Sequence, residues 1–219
     1  MTSMTQVKGL FDLETLKHII VITSKLPNPL VFSTVYLFAF FGFFRISNLV
    51  SPTSVTFDCK QQLCRADVLV EQAYLVVLIK WSKTIQKSTQ GTYIIIPRLA
   101  NSLLCPYQAF LSMCKSQPAS KNSPLFQIKN SPLTQSQVRR HLTKVLRYIG
   151  IDTNIHSFHA FRRSGATLAY NLDVNMQNIK RHGTWQSDSV YDYIVTDPTH
   201  AAGVATSFQL HFKKHSFSL

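Results

Sequence analysis

Between Ser157 and Ile194 the chain reads SFHAFRRSGATLAYNLDVNMQNIKRHGTWQSDSVYDYI. His159 and Arg162 stand three residues apart, a spacing that puts two side chains on one helix face. An imidazole and a guanidinium would then point at one spot. Gly183, Trp185 and Tyr193 follow. Far upstream, Arg45 ends a strongly apolar run, and a charge against so much apolar surface needs a partner. Lys83 lies in a polar loop. These residue types suit transfer of a phosphodiester without a metal. Attack on a DNA phosphate builds negative charge on the non-bridging oxygens, and two arginine forks supply bidentate, charge-assisted donors to them. A lysine can protonate the departing 5′ oxygen. Histidine can bond the phosphate or take a proton near neutral pH. An indole N–H adds one donor. Tyrosine, with an ordinary pKa of about 10, becomes a usable nucleophile only in cationic surroundings. The product would be a phosphotyrosine ester close in energy to the bond broken, so rejoining needs no ATP.

The elements that must position these groups are legible in part. Leu13 to Ser24 reads as an amphipathic helix with Asp12 as N-cap. After Pro27 and Pro29, the run Leu30 to Phe44 reads as a buried core helix, with Phe38 to Phe44 as core. Tyr74 to Lys80 and Thr92 to Pro97 read as strands of a hairpin with a long polar tip holding Lys83 and Lys87. Leu103 to Lys115 is a helix entered through Cys105-Pro106, and Gln117 to Pro132 is loop. Thr134 and Gln137 form a capping box opening a helix that Gly150 stops. Helices are further expected from Ser157, over Asn175 to His182 and over Asp188 to Val195. The expectation is a mainly α chain with a small antiparallel β-sheet, an α+β fold.

Composition bounds the function. The chain has 219 residues, of which 45% are hydrophobic and 15% charged, enough for a real core. It carries 23 Lys and Arg against 10 Asp and Glu, a formal net charge of +13. A packed protein this basic usually meets a polyanion. From Gln72 to Ile151 there are 11 basic residues and no Asp or Glu, which suggests a face for phosphates. Four cysteines are too few for a disulfide scaffold and point to a reducing compartment. The apolar run is too short for a membrane span, which needs about 20 residues, and the N-terminus lacks the pattern of a signal peptide. No membrane association is expected. The spacings of His156, His159, His182 and the cysteines fit no usual metal pattern, so no metal and no cofactor are expected.

Five short motifs together resemble the catalytic domain of the tyrosine recombinases, the phage integrase family. RISNL after Phe44 is similar to RISEL. SKT at Ser82 to Thr84 resembles the lysine turn, and CPYQAF at Cys105 to Phe110 a helix start common in the mobile-element branch. HAFRRSGAT is similar to HSFRRGAAT, and GTWQSDSVYDYI to GRWSSDAYKRYI. The flavour is that of eukaryotic DIRS-type and Crypton-type elements. The motifs stand in order over roughly residues 10 to 200.

The resemblance implies the integrase catalytic-domain fold and a site-specific recombinase or integrase that cuts and rejoins DNA through a 3′-phosphotyrosine. Arg45 and Arg162 would clamp the scissile phosphate. Lys83 would be the general acid, with Lys80 and Lys87 as rivals. His159 would be base or phosphate donor, Trp185 a further donor, and Tyr193 the nucleophile, ten residues after Gly183. Tyr191 competes if His182 is the motif histidine. Trp185 can equally be a core residue. Lys80, Lys87, Arg139, Arg140, Lys144 and Arg147 are expected to bind DNA, the last four being otherwise a solvated face. Asn48 departs from the family's usual Glu, and Thr184 from the commoner Arg. The expected domains are an extension over 1–10, the catalytic domain over 11–200 and a tail over 201–219 that packs in trans. Partners implied are double-stranded DNA, further copies in a tetramer on DNA, and a separate N-terminal clamping domain unless the element is truncated. A domesticated DNA-binding module is the alternative. The nucleus is the expected location if the host is eukaryotic, otherwise the cytoplasm with the DNA.

Overall fold

The computed structural model describes residues 9–55, 57–80 and 92–194. Its centre is α2, Pro29–Phe41, which is apolar on every side and therefore buried on every side. Around it lie α1 (Leu13–Thr23), α4 (Pro106–Ser116) and α6 (His159–Asn171). The remaining helices are α3 (Ile46–Leu49), α5 (Gln135–Tyr148) and α7 (Met176–His182). Strands β1 (Val68–Val70), β2 (Tyr74–Ile79) and β3 (Thr92–Pro97) form one antiparallel sheet in that order, with Val77 opposite both Val68 and Ile94. Period-two burial then follows: Leu75, Val77, Ile79, Ile94 and Ile96 face the core. A two-stranded ribbon, β4 (Gln127–Ile128) with β5 (Ser131–Pro132), completes the architecture. Among the described residues, no helix is long and apolar enough to cross a membrane.

The ends of the helices carry the devices read from sequence. Asp12 Oδ1 accepts from the Thr15 N–H at 2.7 Å, capping α1. Thr134 and Gln137 make a reciprocal capping box on α5, and Gly150 follows its end at φ 74°. Three expectations needed correcting. The loop Gln117 to Pro132 holds the ribbon, β1 was not foreseen, and Asp188 to Val195 contains a short 3-10 turn, Asp188–Asp192, rather than an α-helix. Gly9 and Leu10, assigned from sequence to an extension, already lie with the folded body: the Gly9 N–H donates to the Ile155 carbonyl at 3.1 Å.

Two crossings set up the site. Tyr36 of α2 stacks on Phe161 of α6 with ring centroids 5.0 Å apart. Near the end of α2, a Cβ on Gly165 would fall 2.1 Å from the Phe40 carbonyl oxygen. Only glycine lets α6 pass this close, and the passage brings the residues around Arg162 against the turn that leads to Arg45.

Candidate active site

Four segments meet at the far end of α2: the turn Gly42 to Phe44, α6, the end of α7 and the 3-10 turn before Tyr193. Phe43 sits at φ 50°, a left-handed conformation that costs a bulky residue about 1 kcal/mol or more. Its carbonyl accepts a hydrogen bond from Arg162 Nη1. Two residues earlier, the Phe41 carbonyl accepts from His182 Nε2 at 2.8 Å. The turn is thus held from α6 and α7 and delivers Arg45 to the start of α3. There the Arg45 N–H donates to Asn48 Oδ1 at 3.1 Å, so Asn48 caps the short helix.

Arg162 is 1% exposed. Its second terminal nitrogen donates to the Gly183 carbonyl at 2.8 Å, and its guanidinium carbon lies 3.7 Å from the centroid of the Trp185 ring. Burial pulls its pKa down to about 9, and the nearby positive charge of Arg45 pushes the same way. It remains a cation at neutral pH. Among the described residues, no carboxylate pairs with Arg162 or Arg45. A buried cation is ordinarily tolerated only with an anion beside it. Trp185 is buried in a small satellite core with Phe43, Ala166, Ile179 and Val190, and its indole N–H makes no hydrogen bond. It serves the core and leaves a donor unused at the same place.

Tyr193 follows the 3-10 turn. Its hydroxyl lies 2.6 Å from His159 Nε2. The Trp185 ring meets its ring edge-on at 5.2 Å, and its carbonyl accepts from Thr167 Oγ1 at 3.3 Å. Tyr191 is 58% exposed. Of the two tyrosines, then, Tyr193 is the one whose hydroxyl reaches His159.

Beside these groups opens a cleft of about 480 Å³, lined by Arg45, Ser47, Arg139, Thr143, His156 and His159 among others. It divides the basic residues of α5. Arg139 lines this cleft, while Arg140 and Lys144 border a different depression beside Phe32 and Ile128. Arg147 is exposed. The acid-free span divides as well. Lys80, expected to face DNA, has its ammonium 2.7 Å from Asp67 Oδ2 and 2.7 Å from the Cys59 carbonyl oxygen. Burial alone would lower the pKa of that ammonium, but Asp67 outweighs it and the net shift is upward. Lys80 therefore anchors the base of the hairpin from within. Lys83 and Lys87 lie outside the described residues, as does the tail over 201–219.

One residue here was not singled out from sequence. Arg163, 7% exposed, holds its guanidinium carbon 6.0 Å from the centroid of the Tyr193 ring. The pair Arg162-Arg163 was the available signal, since neighbours on a helix stand about 100° apart and Arg163 falls on the i+4 stripe from His159.

No protein-family model matches the sequence, and no curated protein matches it. Solved structures do. The chain superposes on the XerH site-specific recombinase bound to difH substrate in a pre-cleavage complex with a TM-score of 0.62 at 16% identity, covering 93% of this chain and 55% of that one. It superposes on XerA recombinase at 0.63 and 15% identity, covering 100% and 67%. On the Tn1549 transposon integrase in complex with transposon right end DNA the values are 0.64 and 15%, covering 96% and 68%. The chain thus spans between about half and two thirds of the length of these proteins. It has the tyrosine recombinase catalytic-domain fold.

Proposed function

We propose that this chain cuts and rejoins double-stranded DNA, as a site-specific recombinase or integrase of a mobile element, with Tyr193 as nucleophile. One observation carries the reading: a tyrosine hydroxyl 2.6 Å from an imidazole, beside a buried arginine that has no carboxylate partner among the described residues. A scissile phosphate supplies the missing anion.

The step balances as follows. Tyr193 Oη attacks phosphorus, the bond from phosphorus to the 5′ oxygen breaks, and the phosphate stays on the 3′ end as a tyrosine ester. His159 takes the phenolic proton. Lys83 gives a proton to the leaving 5′ oxygen. Arg162 uses two of its five N–H donors on the carbonyls of Phe43 and Gly183 and also bonds Tyr193, and its remaining donors serve the non-bridging oxygens. Arg45 acts from the cleft side, and the Trp185 indole N–H adds a donor whose burial raises its value. The reverse attack by a 5′ hydroxyl restores Tyr193 and the DNA backbone. Arg139 tracks the adjacent backbone, with Arg140, Lys144, Arg147 and Lys87 further out. Action as a tetramer on DNA, in the nucleus of a eukaryotic host, belongs to the same reading.

The test uses a pool of nicked suicide duplexes with randomised sequence. Expected is a protein–DNA adduct that survives SDS and disappears in Tyr193→Phe while DNA binding persists. An adduct that persists in Tyr193→Phe overturns the nucleophile. Binding without any adduct favours a DNA-binding module.

A further inference from the structure

The residues at 9–12 form a strap across the start of α6, and its contacts are specific. Arg163 Nη1 donates to the Gly9 carbonyl at 3.1 Å. The Phe11 N–H donates to Ser164 Oγ at 2.7 Å. The Phe11 side chain, 2% exposed, stacks on His156 with centroids 5.3 Å apart and on Phe161 at 4.8 Å. A Cβ on Gly9 would lie 2.3 Å from the His156 ring, so no other residue fits that place without displacing the imidazole. The strap is therefore held through both its main chain and its side chains, all of them against α6 or the residues just before it.

The face of α6 that the strap touches through Arg163 also carries Tyr193. His159, Arg163 and Thr167 are successive i, i+4 positions, one stripe along the helix. His159 reaches the hydroxyl of Tyr193, Arg163 stands near its ring, and Thr167 bonds its carbonyl. Arg163 is the middle rung, and it alone among the three also holds the strap. Among the described residues its Nε has no hydrogen-bond partner, while its Nη1 is held by the Gly9 carbonyl. Burial lowers its pKa, and the neighbouring phenol favours the charged form.

We propose that Arg163 is a positioning residue that couples the strap at Gly9 to the orientation of Tyr193. Displacing the strap swings the guanidinium, and the ring beside it follows. This inference rests on the reading of Tyr193 as nucleophile, but the geometry it concerns exists whether or not DNA is cut.

The experiment keeps the two apart. The full chain is labelled with tyrosine carrying 13C at Cζ, and the Tyr193 signal is assigned by its loss in Tyr193→Phe. Its chemical shift is compared in the wild type, Arg163→Met, Arg163→Lys and Gly9→Ala at one pH, with melting temperature recorded for each. The Tyr193 signal should move in Arg163→Met, which removes the guanidinium standing 6.0 Å from the ring centroid, and Arg163→Lys should restore most of its position. Gly9→Ala, which acts at Arg163, Ile155 and His156, should shift the Tyr193 signal. An unmoved Tyr193 signal in folded Gly9→Ala or folded Arg163→Met overturns the proposal. Should Arg163→Met fail to fold, Arg163→Lys and Gly9→Ala decide. On suicide duplexes, Arg163→Met should slow adduct formation about tenfold with DNA affinity unchanged within about twofold. If the wild type forms no adduct, the recombinase reading fails while the Tyr193 chemical shift still decides the coupling.

Discussion

Lys80 is partly buried and Arg162 fully buried, and the protein treats the two cations differently. At the base of the hairpin, Lys80 meets the carboxylate of Asp67 at 2.7 Å, and Asp67 also accepts from the Cys64 N–H at 2.7 Å. Every charge there is answered from inside the chain. At the end of α2, Arg162 is more deeply buried, yet among the described residues it is met by carbonyls, aromatic faces and the Tyr193 side chain, with no carboxylate. Carbonyl dipoles and a π-face offset part of the desolvation cost, but they do not neutralise a charge. The same fold shows that it can supply a carboxylate where one is wanted. Its absence at Arg162 is what a site for an external anion requires. The same contrast separates Lys80 from Arg162 more sharply than exposure does, since Lys80 is the more exposed of the two.

The largest effect that tests this contrast falls on Arg162. Arg162→Lys keeps a cation but cannot reach carbonyls on two different elements and a phosphate at once. It should lower adduct formation about 10³-fold while far-UV circular dichroism stays that of the wild type. A direct probe needs no DNA. Sulfate at ten times its dissociation constant should stabilise the wild type by about 1.4 kcal/mol, read as a rise in melting temperature. Arg162→Met should lose that response and Lys80→Met should keep it. A sulfate response that survives Arg162→Met would mean that the anion is taken elsewhere, and the contrast would collapse.

The next effect falls on Lys80. Lys80→Met leaves the Asp67 carboxylate, 5% exposed, without its cation. Removing one partner of such a charge-assisted bond costs about 2 kcal/mol, measurable as a lower urea midpoint. Its apparent affinity for sulfate should not change. A loss of anion response with unchanged stability would reverse the assignments of Lys80 and Arg162.

How much of this was legible follows from where the information lies. Local chemistry was readable: Asp12, Thr134, Gln137 and Gly150 announce helix ends because caps are written in adjacent residues. So was the buried α2, because an apolar run has only one comfortable place. Strands of two or three residues, such as β1 and β4, show no period to read. The order and spacing of Arg45, His159, Arg162, Trp185 and Tyr193 were visible, and the structure brings them to one end of the molecule. What stayed hidden was non-local. Phe43 adopts a positive φ that its residue type gives no hint of. Lys80 finds Asp67 only once β1 and β2 pair, and Gly9 finds Arg163 across 154 residues of sequence.

A third buried nitrogen sharpens the contrast with the smallest effect. His141 stacks on Phe32 with centroids 3.7 Å apart, and its Nδ1 lies 2.8 Å from the Tyr36 hydroxyl. Its Nε2 is buried without a partner. Burial first, and Lys144 second, push its pKa down to about 4 from 6.5. This is the remedy closed to arginine: the group sheds its charge. Because the folded-state value is the lower one, the unfolded chain binds the extra proton between the two values. The stability from a neutral His141 is therefore complete above pH 6.5 and is lost as pH falls toward 4. Discounted for partial solvent access, the loss is on the order of 1–2 kcal/mol. His141→Gln keeps a polar group that can face Tyr36 and removes the titration. Urea unfolding across this pH range should show the slope in the wild type and a flatter profile in the variant. An equal slope in both would show that the imidazole is not held neutral, and its contrast with Arg162, which keeps its charge when buried, would fall.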